Sequence, residues 1–299
     1  MTKPLLTLTY IVEAPDYQNM ACYLLASIRT HFPPDVQVIG YCPEHKMAEI
    51  DSGVIRAHEL MGAEIRPMRT EGMWDTPYPH GNKIIAALQP RDSVFSAFVD
   101  SDVLFLRPNA PPALIAAGKV SCSVAASMRW GDQSVWDQIY AVFDMPVPTE
   151  RVRLMRRSPG DVVPYFSSGL VVFPEEAANG PRFADVWYDT ALQIDRKTDL
   201  PARRPYLDQM SLPVAIRRAG LEWNPLPEEQ HFILGGMLRG KPLPTDREIF
   251  TIHYRALKIL GEMELMPTVR KMMRRQTGTG FIGNLRDKPE EGADEQTGS

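Results

Sequence analysis

Short apolar runs alternate with amphipathic segments along most of the first 260 residues. Residues 5–13 and 36–42 have the alternating or nearly continuous apolar character of buried strands. Residues 16–31, between them, carry apolar side chains at helical spacing, and Asp16 is a candidate N-cap. This alternation of strand and helix predicts an α/β fold, with a mainly parallel sheet covered by helices on both faces.

The same alternation continues through the middle of the chain. Further strands are predicted at 64–68, 93–100, 119–127, 165–174, 231–236 and 249–256. Further helices are predicted at 81–89, 182–196 and 206–219, and residues 46–63 are predicted to form either one helix or two short ones. A proline-rich turn is predicted at 104–112, with a helix starting at 111–117. Residues 129–163 are polar and irregular with five arginines, which is typical of a binding loop or a small subdomain.

Composition and charge narrow the class of protein. The net charge of −4 does not suggest a nucleic-acid partner. The three cysteines are widely spaced and odd in number, so they form neither a zinc pattern nor a disulfide framework, and buried thiols in a reducing cytoplasm are expected. No apolar run reaches the length of a transmembrane helix, and the N-terminal apolar segment is interpreted as the first core strand rather than a signal peptide.

These patterns predict one domain over residues 1–265, followed by a basic segment at 266–282 and a disordered tail at 283–299. The basic segment contains VRKMMRR, which has apolar residues at helical spacing. One interpretation is an amphipathic anchor that brings a cytoplasmic protein to the inner face of a membrane. The alternative is an ordinary helix packed on the domain with a solvated basic face.

The predicted strand 93–100 ends in two acidic residues, Asp100 and Asp102, which flank Ser101. Ligands of parallel α/β sheets lie beyond the carboxyl ends of the strands, and residues two apart on extended backbone share a face. Two neighbouring carboxylates repel each other unless a cation lies between them, and Mn²⁺ or Mg²⁺ would satisfy that need. The alternative is that Asp100 caps a turn and Asp102 is solvated.

Other residues could complete such a site, each with a structural alternative. His253 ends a predicted strand and could be a third metal ligand or a core histidine, and Lys258 follows within reach of phosphates. Lys83 opens a helix, where a cation is unfavourable unless it meets a phosphate or forms a surface salt bridge. Asp208 and Gln209 lie near a helix start, where Asp208 could act as an N-cap or as a binding residue.

The order of four segments, FVDSDVLFL, YFSSGLVVF, YLDQMSL and IHY, resembles the retaining GT-A glycosyltransferases of the glycogenin and lipopolysaccharide galactosyltransferase family (glycosyltransferase family 8). The resemblance covers about residues 5–260. Tyr17 falls at the tyrosine that stacks on the nucleotide base, and Lys83 at the lysine before the Asp-x-Asp strand. The resemblance implies the Rossmann-like GT-A fold and a nucleotide-sugar donor.

The resemblance also implies roles for individual residues. Asp100, Asp102 and His253 would hold Mn²⁺ or Mg²⁺, and Asp100 would also contact the ribose. Asp208 would hold hydroxyls of the donor sugar, and Gln209 would lie beneath the anomeric carbon as the catalytic residue. The implied contacts to the nucleotide sugar are Glu13, Asp16, Tyr17, Lys83, Asp100, Ser101, Ser168, Gly169 and Lys258.

The chain departs from the family pattern in three places, which indicates a divergent branch. The acid that precedes the family's DNY segment is not in its usual place. Ser167 stands where the family has an asparagine that contacts sugar or acceptor. The late motif reads HYRALKIL, without the family's glycine, proline and tryptophan, and Lys258 comes one residue early. The resemblance therefore does not define the acceptor or the donor sugar.

The expected function is transfer of a hexose from a nucleotide-diphosphate sugar to a hydroxyl of a glycan, lipid-linked or protein acceptor. The resemblance implies UDP as the nucleotide and retention of the anomeric configuration. The metal and Lys258 would stabilise the leaving diphosphate. Residues 129–163 would shape the acceptor side, where Trp130 and Trp136 could stack on a sugar or simply pack. Two alternatives are a non-catalytic sugar- or nucleotide-binding protein on this fold and a sugar nucleotidyltransferase, whose usual Gly-rich loop is absent from IVEAPDYQN.

Overall fold

The computed structural model describes residues 3–128, 134–156, 160–176, 180–200, 203–234, 238 and 241–286. The strands are β1 Leu6–Ile11, β2 Gln37–Pro43, β3 Glu64–Met68, β4 Phe95–Val99, β5 Val103–Phe105, β6 Lys119–Val124, β7 Phe166–Pro174, β8 Glu222–Pro225, β9 Phe232–Ile233 and β10 Thr251–His253. The helices are α1 Tyr17–His31, α2 Ser52–Leu60, α3 Asn82–Leu88, α4 Ser134–Ala141, α5 Phe183–Arg196, α6 Arg203–Arg218, α7 Leu257–Glu262 and α8 Met266–Thr277.

Within these described ranges the main sheet has seven strands in the order β3-β2-β1-β4-β7-β6-β8. Neighbouring strands are parallel except for β7, which runs antiparallel to both β4 and β6. The predicted α/β class with a mixed, mainly parallel sheet is therefore confirmed. The reversed strand β7 has a consequence for function, because its first residues meet the last residues of β4 at one edge of the sheet.

Both faces of the sheet are covered, as the apolar character of the strands predicted. Alternate residues of β1 point to opposite sides, so Leu6, Leu8 and Tyr10 enter one core layer. Helices α1, α2 and α8 cover that face, and α3, α5 and α6 cover the other. Burial on both sides explains why these strands show little polar alternation.

A second, three-stranded sheet in the order β5-β10-β9 lies beside the first. Strand β10 runs antiparallel to β5, and His253 pairs with Val103 in this register. Because Val103 directly follows Asp102, the pairing brings the end of a distant strand to the Asp-Ser-Asp segment. This small sheet therefore pairs His253 with a residue 150 positions earlier in the chain.

Several local predictions were wrong. Residues 104–112 are not simply a turn, because buried Leu104 and Phe105 belong to β5. The helix predicted at 111–117 is only a short 3-10 turn, Pro111–Ala113. The region 129–163 contains helix α4, and β8 and α7 were not predicted. Asp16 precedes α1, but its side chain makes no capping hydrogen bond.

The C-terminal basic segment contains α8, whose apolar side chains are used within the domain. Val269, Met272 and Met273 are buried, and the helix packs on α1. The exposed side chains include four cations, Arg270, Lys271, Arg274 and Arg275. Residues 282–285 form a 3-10 turn, although the disordered tail was predicted from 283, and residues 287–299 lie outside the described ranges. Among the described helices, none has the length and hydropathy needed to cross a membrane.

His58 on α2 should make stability depend on pH. The ring is 1% exposed, its Nδ1 lies 2.8 Å from the Val54 carbonyl oxygen, and burial lowers its pKa to about 4. The unfolded chain binds a proton near pH 6.5 while the native state does not, so stability falls as pH drops from 6.5 to 4, by roughly 3 kcal/mol. Above pH 6.5 both states are neutral and this contribution is constant.

The measurement is urea unfolding of the wild type and His58→Asn across pH 4 to 8. Asparagine can still donate to the Val54 carbonyl but does not titrate. The difference in unfolding free energy between the two proteins should shrink or change sign as the pH falls. A difference independent of pH would contradict the prediction, whatever the absolute stability of the variant.

Candidate active site

A cavity of about 780 Å³ opens at the carboxyl ends of β1, β4 and β6, next to the start of β7. This is the edge at which parallel α/β sheets bind ligands. The residues lining it are widely spaced along the chain, and they include Ile11, Glu13, Tyr17, Asn82, Lys83, Asp100, Ser101, Asp102, Ser127, Arg156, Ser167, Ser168, Gly169, Tyr206, Asp208, Gln209, Ile233, His253 and Arg255.

Asp100, Asp102 and His253 converge in this cavity, as the sequence predicted. One ligand atom from each lies within 4.8 Å of the other two. His253 Nε2 is 3.1 Å from Asp102 Oδ1 and 3.9 Å from Asp100 Oδ2. The three side chains are only 12–20% exposed, so little water is present to screen the repulsion between the two carboxylates.

The orientation of the His253 ring is set by a second histidine. His253 Nδ1 lies 3.3 Å from Nε2 of His231, which is also 3.2 Å from Ser167 Oγ. With the Nδ1–H of His253 directed at His231, its Nε2 faces the two carboxylates, where it donates to Asp102 and would offer its lone pair to a bound metal in place of that proton. Burial, followed by the proximity of His253, lowers the pKa of His231 well below its usual range, so this ring is a neutral acceptor.

The charges of the cluster are strongly coupled. Burial raises the pKa of Asp100; Lys83 opposes the rise and the Asp102 carboxylate adds to it. Burial would raise the pKa of Asp102, but the neighbouring His253 outweighs it and the pKa is lowered. Burial would likewise lower the pKa of His253, yet Asp102 and Asp100 raise it. Two oxygen ligands and one imidazole are a donor set that fits Mn²⁺ or Mg²⁺.

Lys83 links this cluster to Asp208. Its ammonium nitrogen is 2.9 Å from Asp100 Oδ1 and 3.0 Å from Asp208 Oδ2. Asp208 also accepts a hydrogen bond from Ser168 and one from Tyr78 at 3.4 Å. The surface salt bridge considered for Lys83 is therefore wrong, because the pair is buried. Asp208 is inside α6 and 3% exposed, so it is not an N-cap.

The opposite wall carries most of the residues expected near the nucleoside. Tyr17 lines the cavity with half of its surface exposed, and Glu13 lies beside it, paired with Lys46 at 2.5 Å. Ser101 also lines the cavity, and its hydroxyl donates to the Ile11 carbonyl at 2.5 Å.

Two expected residues are placed elsewhere: Asp16 and Lys258 are exposed and do not line the cavity.

Sequence reasoning missed about half of the lining, including Asn82, Tyr206, Ile233 and Arg255. His231, behind His253, was missed as well. None has a local sequence signal, because each reaches the cavity only through tertiary packing. Conversely, Trp136 is fully buried in the core and cannot stack on a sugar, while Trp130 lies outside the described residues.

Gly169 leaves no room for a side chain. A Cβ there would lie 2.7 Å from His253 Nδ1 and 3.0 Å from His231 Nε2. Gly169→Ala should therefore push His253 away from Asp102 and weaken Mn²⁺ binding by about 10- to 100-fold, the range seen when the support of a metal ligand is lost. Isothermal titration with Mn²⁺ checks this. Gly261→Ala is the control, since nothing lies within 4 Å of that position; equal affinities would contradict the prediction.

A comparison with models of protein families gives a match over most of the chain. A domain family described as the Rhodobacterales glycosyltransferase domain matches residues 8–220. A search of curated protein sequences finds no significant match.

Solved structures share the fold at low sequence identity. Mouse xyloside xylosyltransferase 1 is similar at 10% identity and a TM-score of 0.53, covering 85% of this chain and 98% of its own. Galactosyltransferase LgtC, crystallised with donor and acceptor sugar analogues, is similar at 14% identity and a TM-score of 0.52, covering 95% of this chain and 98% of its own. These likenesses establish the GT-A fold predicted from the sequence.

Proposed function

Since the chain belongs to the Rhodobacterales glycosyltransferase domain family, we propose that it is a metal-dependent hexosyltransferase using a nucleotide-diphosphate sugar, with UDP-hexose as the expected donor. The observation that carries the proposal is the convergence of Asp100, Asp102 and His253 within 4.8 Å at the edge of the cavity. A metal held there would suit transfer, in which negative charge develops on a departing diphosphate; a non-catalytic nucleotide-binding protein could also use such a site, and the hydrolysis assay below separates the two.

Asp100, Asp102 and His253 would hold Mn²⁺ or Mg²⁺. When bound, the metal supplies Lewis-acid stabilisation of the negative charge that develops on the departing diphosphate. Ser167 and His231 keep the His253 ring turned toward the carboxylates. Lys83 offsets the remaining negative charge of Asp100 and Asp208.

The donor would lie across the cavity. Tyr17 offers a half-exposed aromatic face to the nucleobase, and Glu13 and Ser101 line the adjoining wall. The sugar would lie toward Ser168, Asp208 and Gln209, where Asp208 accepts sugar hydroxyls. The bond between the anomeric carbon and the diphosphate oxygen breaks, a bond to the acceptor oxygen forms, and the acceptor hydroxyl loses its proton.

Gln209 is the proposed catalytic residue. Its side chain lines the cavity next to Asp208, on the helix that presents both residues to the same space. With retention, the leaving diphosphate oxygen takes the acceptor proton on the face that it vacates. The amide oxygen of Gln209, on the other face, stabilises the positive charge that develops at the anomeric carbon.

The acceptor would enter past Ser127, Arg156 and Ile233, on the side of the cavity away from Tyr17. A glycan, lipid-linked or protein hydroxyl is the proposed nucleophile. The exposed cations of α8, listed above, support contact with an anionic membrane surface that carries a lipid-linked acceptor.

A thermal-shift screen of nucleoside diphosphates and nucleotide sugars, with Mn²⁺ and with EDTA, tests the proposal. A ligand that binds only the native state raises the unfolding midpoint by mass action. We expect a rise with one nucleotide series that disappears with EDTA, and metal-dependent hydrolysis of the matching nucleotide sugar without an acceptor. Absence of any shift would overturn the proposal, and a shift without hydrolysis would favour a non-catalytic binding protein.

A further inference from the structure

Arg255 is two residues after His253 and lines the same cavity as the acidic cluster. Its position is fixed by the backbone on each side. The Tyr254 amide donates to the Asp102 carbonyl, and the Ala256 amide donates to the Tyr254 carbonyl, both at 2.9 Å. The second of these bonds spans only two residues and closes a γ-turn with Arg255 at its centre.

That turn is strained. Arg255 has a φ of +66°, in the left-handed region that non-glycine residues rarely adopt. The γ-turn with positive φ is the rare and unfavourable form. Strain of this kind persists where the surrounding structure enforces it, and it is concentrated at binding and catalytic sites. A glycine or asparagine would occupy the position with less strain, so an arginine there calls for a function of its side chain.

The charges around the cavity indicate that function. Lys83 is paired with Asp100 and Asp208, Arg156 with Glu228, and Glu13 with Lys46. Within the described part of the chain, Arg255 forms no ion pair or hydrogen bond through its guanidinium, and it is exposed to the cavity. Its charge is therefore available to an anionic ligand.

We propose that Arg255 binds the diphosphate of the donor, the role that the sequence resemblance would give to Lys258. This inference rests on the proposed function. A planar guanidinium donates two parallel hydrogen bonds to phosphate oxygens, which suits it to a group that leaves carrying additional negative charge. Lys258 is on α7, exposed and outside the lining of the cavity.

The test measures binding of UDP and of uridine, both with Mn²⁺, by isothermal titration. Arg255→Asn removes the charge and keeps a residue that tolerates positive φ, and Arg255→Lys restores the charge. Arg69→Asn is the control, since Arg69 is an exposed arginine in a loop outside the cavity. If UDP gives no shift in the thermal screen, ADP, GDP, CDP and dTDP with their nucleosides replace it.

Arg255→Asn should weaken UDP binding about tenfold or more, the scale of one charge-assisted contact, and leave uridine binding unchanged. Arg255→Lys should recover part of the loss, and the unfolding midpoint of the ligand-free Asn variant should equal or exceed that of the wild type.

Unchanged UDP binding by Arg255→Asn, or a large loss in Lys258→Ala instead, would overturn the assignment while leaving the proposed function standing. Equal losses for UDP and uridine with a lower midpoint would make Arg255 a structural residue. Failure of the wild type to bind any nucleoside diphosphate would overturn the function and the assignment together.

Discussion

Asp102→Asn should reduce Mn²⁺-dependent binding of the donor nucleotide, and transfer with it, by at least about 100-fold, because losing only the support of a metal ligand already costs 10- to 100-fold. Asparagine keeps the volume of the side chain but removes the negative charge that pairs with His253 Nε2 at 3.1 Å. The metal site would then have one carboxylate in place of two. Titration of UDP with Mn²⁺, and of Mn²⁺ alone, measures the loss.

The fold should survive this change, because Asp102 lies at the edge of the sheet and its backbone bond to Tyr254 at 2.9 Å is retained. Asp92→Asn is the matched control, an exposed aspartate whose side chain is 81% accessible and remote from the cavity. Wild-type affinity for UDP and Mn²⁺ in Asp102→Asn would remove Asp102 from the metal site. A cooperative unfolding transition close to that of the wild type confirms that the comparison is between folded proteins.

Gln209→Ala should lower turnover by about 100- to 1,000-fold, the scale of losing one preorganised group that acts on the transition state. The donor dissociation constant should change by no more than about threefold, since the effect is confined to the developing charge at the anomeric carbon. Steady-state kinetics together with calorimetric binding of UDP separates the two quantities.

Gln193→Ala is the control, because Gln193 is on α5, outside the cavity lining, where it donates to Asp189 at 2.7 Å. The opposite pattern, weaker donor binding at unchanged turnover, would reduce Gln209 to a binding residue. The Gln209 and Asp102 variants together distinguish a catalytic defect from a metal-binding defect, since only Asp102→Asn should change the affinity for Mn²⁺ alone.

The cluster of Asp100, Asp102 and His253 shows both what sequence reasoning can find and what it misses. Asp100 and Asp102 were predicted because a buried strand that ends in two acids is chemically unusual, and the carboxyl end of a parallel strand is where ligands bind. His253 was recognised only by its place at a strand end and by resemblance. Its contact with Asp102 depends on the pairing of β10 with β5, and the sequence interpretation had assigned β5 to a turn.

The ion pair between Lys83 and Asp208 is a second contact that the sequence did not predict. Each was considered separately, one as a phosphate or salt-bridge residue and the other as a helix cap or sugar ligand. Their side chains are 3.0 Å apart in a nearly dry environment. That pairing explains why a lysine can lie in the first turn of α3, where the helix dipole opposes it.

The sequence by itself determined the alternation of strands and helices, the two-sided burial of the central sheet and the position of the acidic pair, because these depend on local periodicity and on where an apolar run ends. Only the tertiary structure decided which distant residues face that pair: His231 behind His253, Gly169 as the space that His253 needs, and Arg255 in place of Lys258 in the cavity. Such contacts are set by strand register and by a single strained turn, and small differences in backbone geometry of that kind leave no periodic trace in the order of amino acids.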